Sequence, residues 1–314
     1  MKVLVTGCAG FIGSHVADAL VESGADVVGV DAFTPFYDVE IKRRNCAGFR
    51  GRSQVYGMDM REANLDMLLD GVDVVLHIAG QPGVRSCWGP DFAEYVSCNT
   101  LATQRLLDAM VRTCWRGRLV FTSTSSVYGK QPNGFMHEAD PCEPLSPYGV
   151  TKFAAEQLVY CYREAYKLNA VILRLFSVYG PRQRPDMAVS RFIDAIHNGR
   201  EVHVYGDGSQ RREMTYVSDV VSAILAAARL GRTGGVPVYN VGGGAVITVL
   251  ELAERLARIM DKELRIAYRP FPVGEMRSNA ADTSRIQTDL GWRPTVDLDA
   301  GLAKQVRWAC TGSR

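Results

Sequence analysis

MKVLVTGCAGFIGSHVADALVESG, residues 1–24, decides how this chain is read. An apolar run from Lys2 to Val5 gives way to glycines, and these to a helical pattern through Val16, Leu20 and Val21. Strand, glycine turn and helix is the order a dinucleotide site needs. Gly7 permits the tight turn, Gly10 lets backbone approach a pyrophosphate, and Gly13 lets the helix pack on the strand. Free N–H groups and the positive helix end then face the phosphates. Alone, such a triplet would arise by chance in about a quarter of chains this long and glycine-rich, by frequency counting. Asp31 adds the discriminating signal. It closes a second apolar run, Val27 to Val30, about 20 residues on, where a ribose-binding acid belongs. A carboxylate there bonds a 2′-hydroxyl and repels a 2′-phosphate, which favours NAD. Lys42, Arg43 and Arg44 lie nearby and keep NADP open.

The 314 residues can bury a full core as one large domain or two unequal ones. The formal net charge is +2, without a basic block or aromatic ladder, so nucleic acid is not an expected partner. No apolar run approaches the roughly 20 residues of a membrane span, and the chain enters a strand at once. These features predict no membrane association and a cytoplasmic location. Eight cysteines include no CxxC pair, and five histidines show no metal-ligand spacing. Neither a disulfide framework nor a metal site is expected. His77 ends a buried-looking strand and reads as structural.

Strand-like segments near 2–5, 26–31, 54–57, 72–78, 118–123 and 170–176 alternate with helical patterns. The alternation predicts an α/β fold, a Rossmann-type doubly wound parallel sheet with a second, smaller substrate-binding α/β domain. We expect residues 1–176 and 213–242 in the sheet domain, and 177–212 and 243–314 in the smaller one. Thr248 with Glu251 predicts a capping-box helix start running to about Met260.

Tyr148 and Lys152 are four apart at the start of a helical run, SPYGVTKFAAEQLV, and so share a face. A tyrosine has a pKa of about 10, and acting as a base near pH 7 requires about 4 kcal/mol of stabilisation of the phenolate. An adjacent ammonium and a positive nicotinamide ring can supply it. By itself the pair is an ordinary helix-surface couple. The strand RLVFTSTSSVYG adds a third element. It ends in Ser123, Thr124, Ser125 and Ser126, at the carboxyl end of a central strand, where a doubly wound sheet binds its ligand. Turn capping accounts for at least one of these hydroxyls. Together the elements point to redox chemistry on an alcohol.

TGCAGFIG, Asp31, Thr124 and YGVTK together resemble the extended short-chain dehydrogenase/reductase superfamily, in its branch acting on nucleotide sugars, over almost the whole chain. The resemblance implies that Gly7, Gly10 and Gly13 bind NAD. It makes Tyr148 the base, Lys152 the group that lowers its pKa and holds the nicotinamide ribose, and Thr124 the partner of the reacting sugar hydroxyl. Phe11, Ile12, Lys42, Asp59, Met60, Ala79, Gly80 and Gln81 complete the implied cofactor contacts, Asp59 at the adenine. Dehydratases of this family carry an Asp-Glu pair where this chain has Ser125 and Ser126, and elimination needs that acid and base. The chain therefore resembles an epimerase, an isomerase with no net redox change.

DAFTPFYDVEIKRRN, AGQPGVRS and LRLFSVYGPRQRPDMA are similar to segments of UDP-glucuronate 4-epimerases. That likeness places Arg85, Ser177, Arg184, Met187 and Tyr205 at the ligand, with Ser125, Ser126 and Ser177 at the sugar carboxylate. Arg191 and Arg212 would contact the UDP portion, where a guanidinium fork suits phosphate oxygens. Glu275 occupies a family acidic position. YGDGSQRREMTYVSD has a form spread more widely among nucleotide-sugar epimerases, which keeps UDP-glucose or another UDP-hexose as the alternative substrate. A simple NAD-dependent dehydrogenase, or a non-catalytic NAD-binding redox sensor, is the alternative class. The family's four-helix contact implies a homodimer.

Overall fold

Short valine- and leucine-rich runs form the central strands of the computed structural model, which describes residues 1–49, 51, 53–130 and 135–311. The first part of the chain contains β1 (Lys2–Thr6), α1 (Phe11–Glu22), β2 (Asp26–Asp31), α2 (Val39–Asn45), β3 (Gln54–Gly57), α3 (Leu65–Leu69) and β4 (Val74–His77). Next come α4 (Phe92–Tyr95), a π-helical turn at Val96–Leu101, α5 (Ala102–Arg112), β5 (Arg118–Thr124), α6 (Pro147–Tyr166) and β6 (Asn169–Leu175). The rest is β7 (Val178–Tyr179), α7 (Ala188–His197), β8 (Val202–Tyr205), β9 (Arg211–Tyr216), α8 (Val217–Arg229), β10 (Val238–Val241), β11 (Ala245–Thr248), α9 (Val249–Met260), β12 (Ile266–Arg269), β13 (Ser278–Asn279), α10 (Ser284–Leu290) and α11 (Leu298–Cys310).

The large sheet has seven strands in the order β10-β6-β5-β4-β1-β2-β3, and all its pairs are parallel. The order reverses between β1 and β4, so the carboxyl ends of those strands flank the crevice in which such sheets bind ligands. Both faces are covered, as the continuous apolar runs require. Val3 and Val5 of β1 point into one core layer with Leu76, Leu173, Ile224 and Leu256. Leu4 between them points into the other, with Phe121, Leu106, Met110 and Val159.

The smaller sheet joins β11, β9 and β13, with β7 also paired to β9, and β12 pairs with β8. Residues 213–216 therefore pair within the smaller sheet, whereas α8 packs on β4, β5 and β6. β9 runs unbroken from Arg211 to Tyr216, and α8 begins at the next residue, Val217. At Thr248 the capping box is present, with Thr248 Oγ1 accepting the Glu251 N–H at 3.0 Å and the Glu251 carboxylate accepting the Thr248 N–H at 2.7 Å. No helix among the described residues is long and apolar enough to cross a membrane.

Candidate active site

The glycine turn is shaped by space as much as by flexibility. Gly7 has φ +70°, in the left-handed region, and a β-carbon there would sit 2.9 Å from the backbone of Ala79. A β-carbon at Gly13 would collide with the Gly7 carbonyl, so α1 could not approach β1. Asp31 Oδ2 accepts the Ala9 N–H at 3.1 Å and Oδ1 accepts the Phe33 N–H at 2.8 Å, so this carboxylate also braces the turn. Gly80 is tight in the same way, for its β-carbon would lie 2.9 Å from Asn99 Oδ1. The result is a backbone cradle of the size and polarity a dinucleotide pyrophosphate needs.

Two of the charges that kept NADP open have carboxylate partners, Lys42 at the ribose acid itself. Lys42 is buried, with Nζ 3.0 Å from Thr34 Oγ1 and 3.8 Å from Asp31, and Arg43 pairs with Glu40 on the surface. Burial lowers the Lys42 pKa, with Asp31 opposing. Asp59 also differs from the simple expectation of a free adenine acceptor. Both its oxygens accept from Arg61, and this pairing holds its carboxyl below the usual range. Arg61 in turn reaches Glu94 and Ser97.

Ser146 caps α6, its Oγ accepting the Gly149 N–H at 3.2 Å, and this sets Tyr148 and Lys152 on the first turns facing β5. Burial raises the Tyr148 pKa, opposed first by the Thr124 hydroxyl bonded to it and then by Arg184. Lys152 is buried with Nζ 4.3 Å from the Phe121 ring centroid, and burial lowers its pKa from 10.5 to about 8, with Glu156 opposing. The phenol is thus held protonated by the protein alone, and deprotonation near neutral pH needs further positive charge close to Tyr148. His77 is buried between Thr6 Oγ1 and Thr103 Oγ1 at 2.8 and 3.0 Å, with its pKa pushed down by burial to about 3. It is a neutral structural residue, as expected.

At the far end, Glu275 bridges two arginines. Its side chain is 8% exposed and lies 2.5 Å from Arg85 Nε and 3.4 Å from Arg212 Nη2. The Arg85 guanidinium stacks 4.1 Å from the Tyr205 ring centroid. Burial lowers the Arg212 pKa, Glu275 opposing. Arg184 is forked onto Asp186 at 3.0 and 2.9 Å, while Arg191 has no carboxylate partner among the described residues. The β5 hydroxyls stand between the two ends. Ser126 Oγ lies 3.2 Å from Thr124 Oγ1, and Ser123 Oγ is buried with no hydrogen-bond partner among the described residues.

Every catalytic, cofactor-site and substrate-site candidate from the sequence lines one continuous cleft of about 910 Å³, from Gly7, Asp31 and Asp59 through Thr124, Tyr148 and Lys152 to Ser177, Met187 and Glu275. Sequence reasoning missed Asn99. From the π-helical turn its Oδ1 accepts the Gln81 N–H at 2.7 Å and its Nδ2 donates to the Gln81 carbonyl and to Thr151 Oγ1, each at 3.0 Å. It missed Asn279 as well, and neither asparagine belongs to a local motif.

Residues 3–242 match the NAD dependent epimerase/dehydratase family. Over 314 aligned residues the chain is 39% identical to an uncharacterized UDP-glucose epimerase of Bacillus subtilis, covering 98% of each chain. It is 34% identical over 312 residues to the UDP-glucuronate 4-epimerase of Thermodesulfobacterium geofontis, covering 98% of this chain and 95% of that one. The crystal structure of UDP-glucuronic acid 4-epimerase from Bacillus cereus in complex with UDP-glucuronic acid and NAD matches with a TM-score of 0.96 and 38% identity over 99% of each chain.

Proposed function

Because this chain belongs to the NAD dependent epimerase/dehydratase family, we propose that it inverts C4 of a UDP-hexuronic acid, interconverting UDP-glucuronate and UDP-galacturonate through a transient 4-keto sugar. The observation that carries the reading is the wall opposite Tyr148. It presents uncharged hydroxyls from Ser123 to Ser126, not the acid and base that an elimination would require.

In this reading the Gly7–Gly13 turn and the start of α1 hold the pyrophosphate of NAD, Asp31 holds its adenosine ribose, and Lys152 with Tyr148 holds the ribose at the other end. NAD, when bound, supplies a reversible two-electron acceptor beside C4 and a positive ring near Tyr148. Tyr148, as phenolate, accepts the C4 hydroxyl proton directly or through Thr124, and returns it to the ketone oxygen in the reverse step. Thr124 stabilises the phenolate by donating to it. Lys152, one helical turn on, is the cation this reading assigns to favouring the phenolate over the neutral phenol. Inversion follows when the sugar turns about its bond to the diphosphate and presents its other face. Arg191, Arg212 and Arg85 hold the UDP portion during that turn, and Arg184, Met187 and Tyr205 line the ligand's path.

A 4-keto uronate is a β-keto acid. It loses CO2 most readily when the bond from C5 to the carboxylate aligns with the carbonyl π system. Ser125, Ser126 and Ser177 hold the carboxylate away from that alignment without a fixed cation. The chain divides functionally into a dinucleotide part, 1–176 with 213–242, and a sugar-nucleotide part, 177–212 with 243–314. Phe92, Val96, Leu101 and Val150 are exposed on α4, the π-helical turn and α6, which pack together, and this apolar face supports a homodimer. We place the enzyme in the cytoplasm with its soluble nucleotide-sugar substrate.

The test is incubation with UDP-glucuronate and, separately, UDP-glucose, with products identified by proton NMR. UDP-galacturonate without stoichiometric NADH is the expected result. UDP-galactose alone would keep the mechanism and replace the substrate, whereas a pentose or NADH as main product would overturn the reaction class.

A further inference from the structure

Asn279 on β13 is 3% exposed and lies at the wall of the cleft. Its Oδ1 accepts the backbone N–H of Glu213 at 3.0 Å. A backbone N–H can only donate, so this bond fixes the orientation of the amide and turns Nδ2 toward Ser125 Oγ, 3.4 Å away. An amide NH2 likewise can only donate. Ser125 therefore accepts from Asn279 through one of its two lone pairs, and that contact orients the hydroxyl with its own proton available to the cleft. Among the described residues no protein acceptor takes that proton.

The surrounding structure keeps this arrangement in place. The Glu213 carboxylate accepts the Gly244 N–H at 2.8 Å and also the Ala281 N–H, which ties β9 to the turn before β11 and to the residues just after Asn279. Burial raises the Glu213 pKa, opposed by these two N–H groups. Ser125 itself is 4% exposed, so a ligand group meeting its proton is largely desolvated there.

We propose that Asn279 is a positioning residue that favours a carboxylate on the sugar, by holding the Ser125 hydroxyl so that its unclaimed proton is presented to the ligand. The proposal rests on the UDP-hexuronate reading above. A carboxylate offers acceptors only and matches a fixed donor, with the added strength of a charged partner. The hydroxymethyl of a neutral hexose can donate or accept and gains less from the fixed orientation.

Asn279→Asp tests this in the NAD-loaded Tyr148→Phe background, where bound sugars do not react. It keeps an oxygen for the Glu213 N–H but offers a second oxygen to Ser125, drawing the serine proton out of the cleft. Calorimetric titration should show the preference for UDP-glucuronate over UDP-glucose falling about 30-fold, as for loss of a hydrogen bond to a charged group. Ser125→Ala should lower the preference similarly, and adding Asn279→Asp to it should lower it no further. Equal weakening of both ligands would assign Asn279 a merely structural role and overturn the proposal. So would a fall that persists when Ser125 is already alanine, since the aspartate would then act by its charge. If Asn279→Asp does not fold, Ser125→Ala decides alone, an unchanged preference overturning the proposal. Conversion of UDP-glucuronate by the unaltered protein separates the two layers. No UDP-galacturonate overturns both, whereas its formation with an unchanged preference in Asn279→Asp overturns this one only.

Discussion

The two ends of the cleft are built from different materials. At the dinucleotide end the shape comes from backbone: Gly7 at positive φ, Gly13 against a carbonyl, and two N–H groups tied to Asp31. At the sugar end it comes from long side chains brought in by separate elements, with Arg85, Arg212 and Glu275 meeting from a loop after β4, from β9 and from the segment before β13. A backbone cradle has few adjustable parts and serves one ligand. A side-chain site can be re-specified one residue at a time, which suits a family whose members differ in the sugar.

The largest expected effect lies where the two ends meet. Tyr148→Phe should lower turnover by about a thousandfold, in line with loss of a general acid–base group. Retained NAD and the affinity for the UDP-sugar should stay close to normal, and loss of either would mean that Tyr148 belongs to one end's binding machinery. Lys152→Met should also abolish turnover, yet it should stabilise the NAD-free protein. Burial depresses the lysine's folded pKa from 10.5 to about 8, which corresponds to about 3 kcal/mol against the charged form at pH 7. The unfolded chain binds the extra proton between pH 8 and 10.5, so this group's contribution to stability rises with pH across that window. Urea unfolding should show the variant's advantage in full at pH 7 and none above pH 10.5.

Gly13→Ala probes the backbone end. Its β-carbon has no room beside Gly7, so a loss of about 2 kcal/mol of stability is expected from overpacking. Much lower NAD retention should accompany it, and unchanged retention would refute the cradle. The smallest effect belongs to Glu275→Gln, which removes one charge from the arginine bridge. We expect KM for the UDP-sugar to change by about fivefold, the scale of a partly exposed ion pair, with NAD retention unaffected. A product assay adds one qualitative outcome, in which Ser177→Ala releases extra CO2 and pentose nucleotide. No increase would remove Ser177 from the control of the carboxylate.

The same contrast explains what could be read in advance. Gly7, Gly10, Gly13 and Asp31 lie within one β-α-β stretch, where local sequence order and spatial order coincide, so the fold and the meeting of these residues in one cleft were legible. Tyr148 and Lys152 were legible for the same reason, being one helical turn apart. Arg85 and Glu275 are 190 positions apart, and no spacing rule connects them. Family likeness named both residues, but their direct pairing emerged only in three dimensions. The pKa of Tyr148 needed the structure too, because burial outweighs the helix-neighbour argument.

The path of the chain between its two sheets carries an evolutionary consequence. It enters the smaller sheet at β7, returns to the large one at α8 and β10, and leaves again at β11. The sugar-facing lobe is therefore no cassette that recombination could lift out and replace, since any single exchange would cut through both cores. New substrates in such a lineage must arise by substitution in place, at seam positions such as Ser125 and Asn279, and enzymes of differing specificity should remain alignable from end to end.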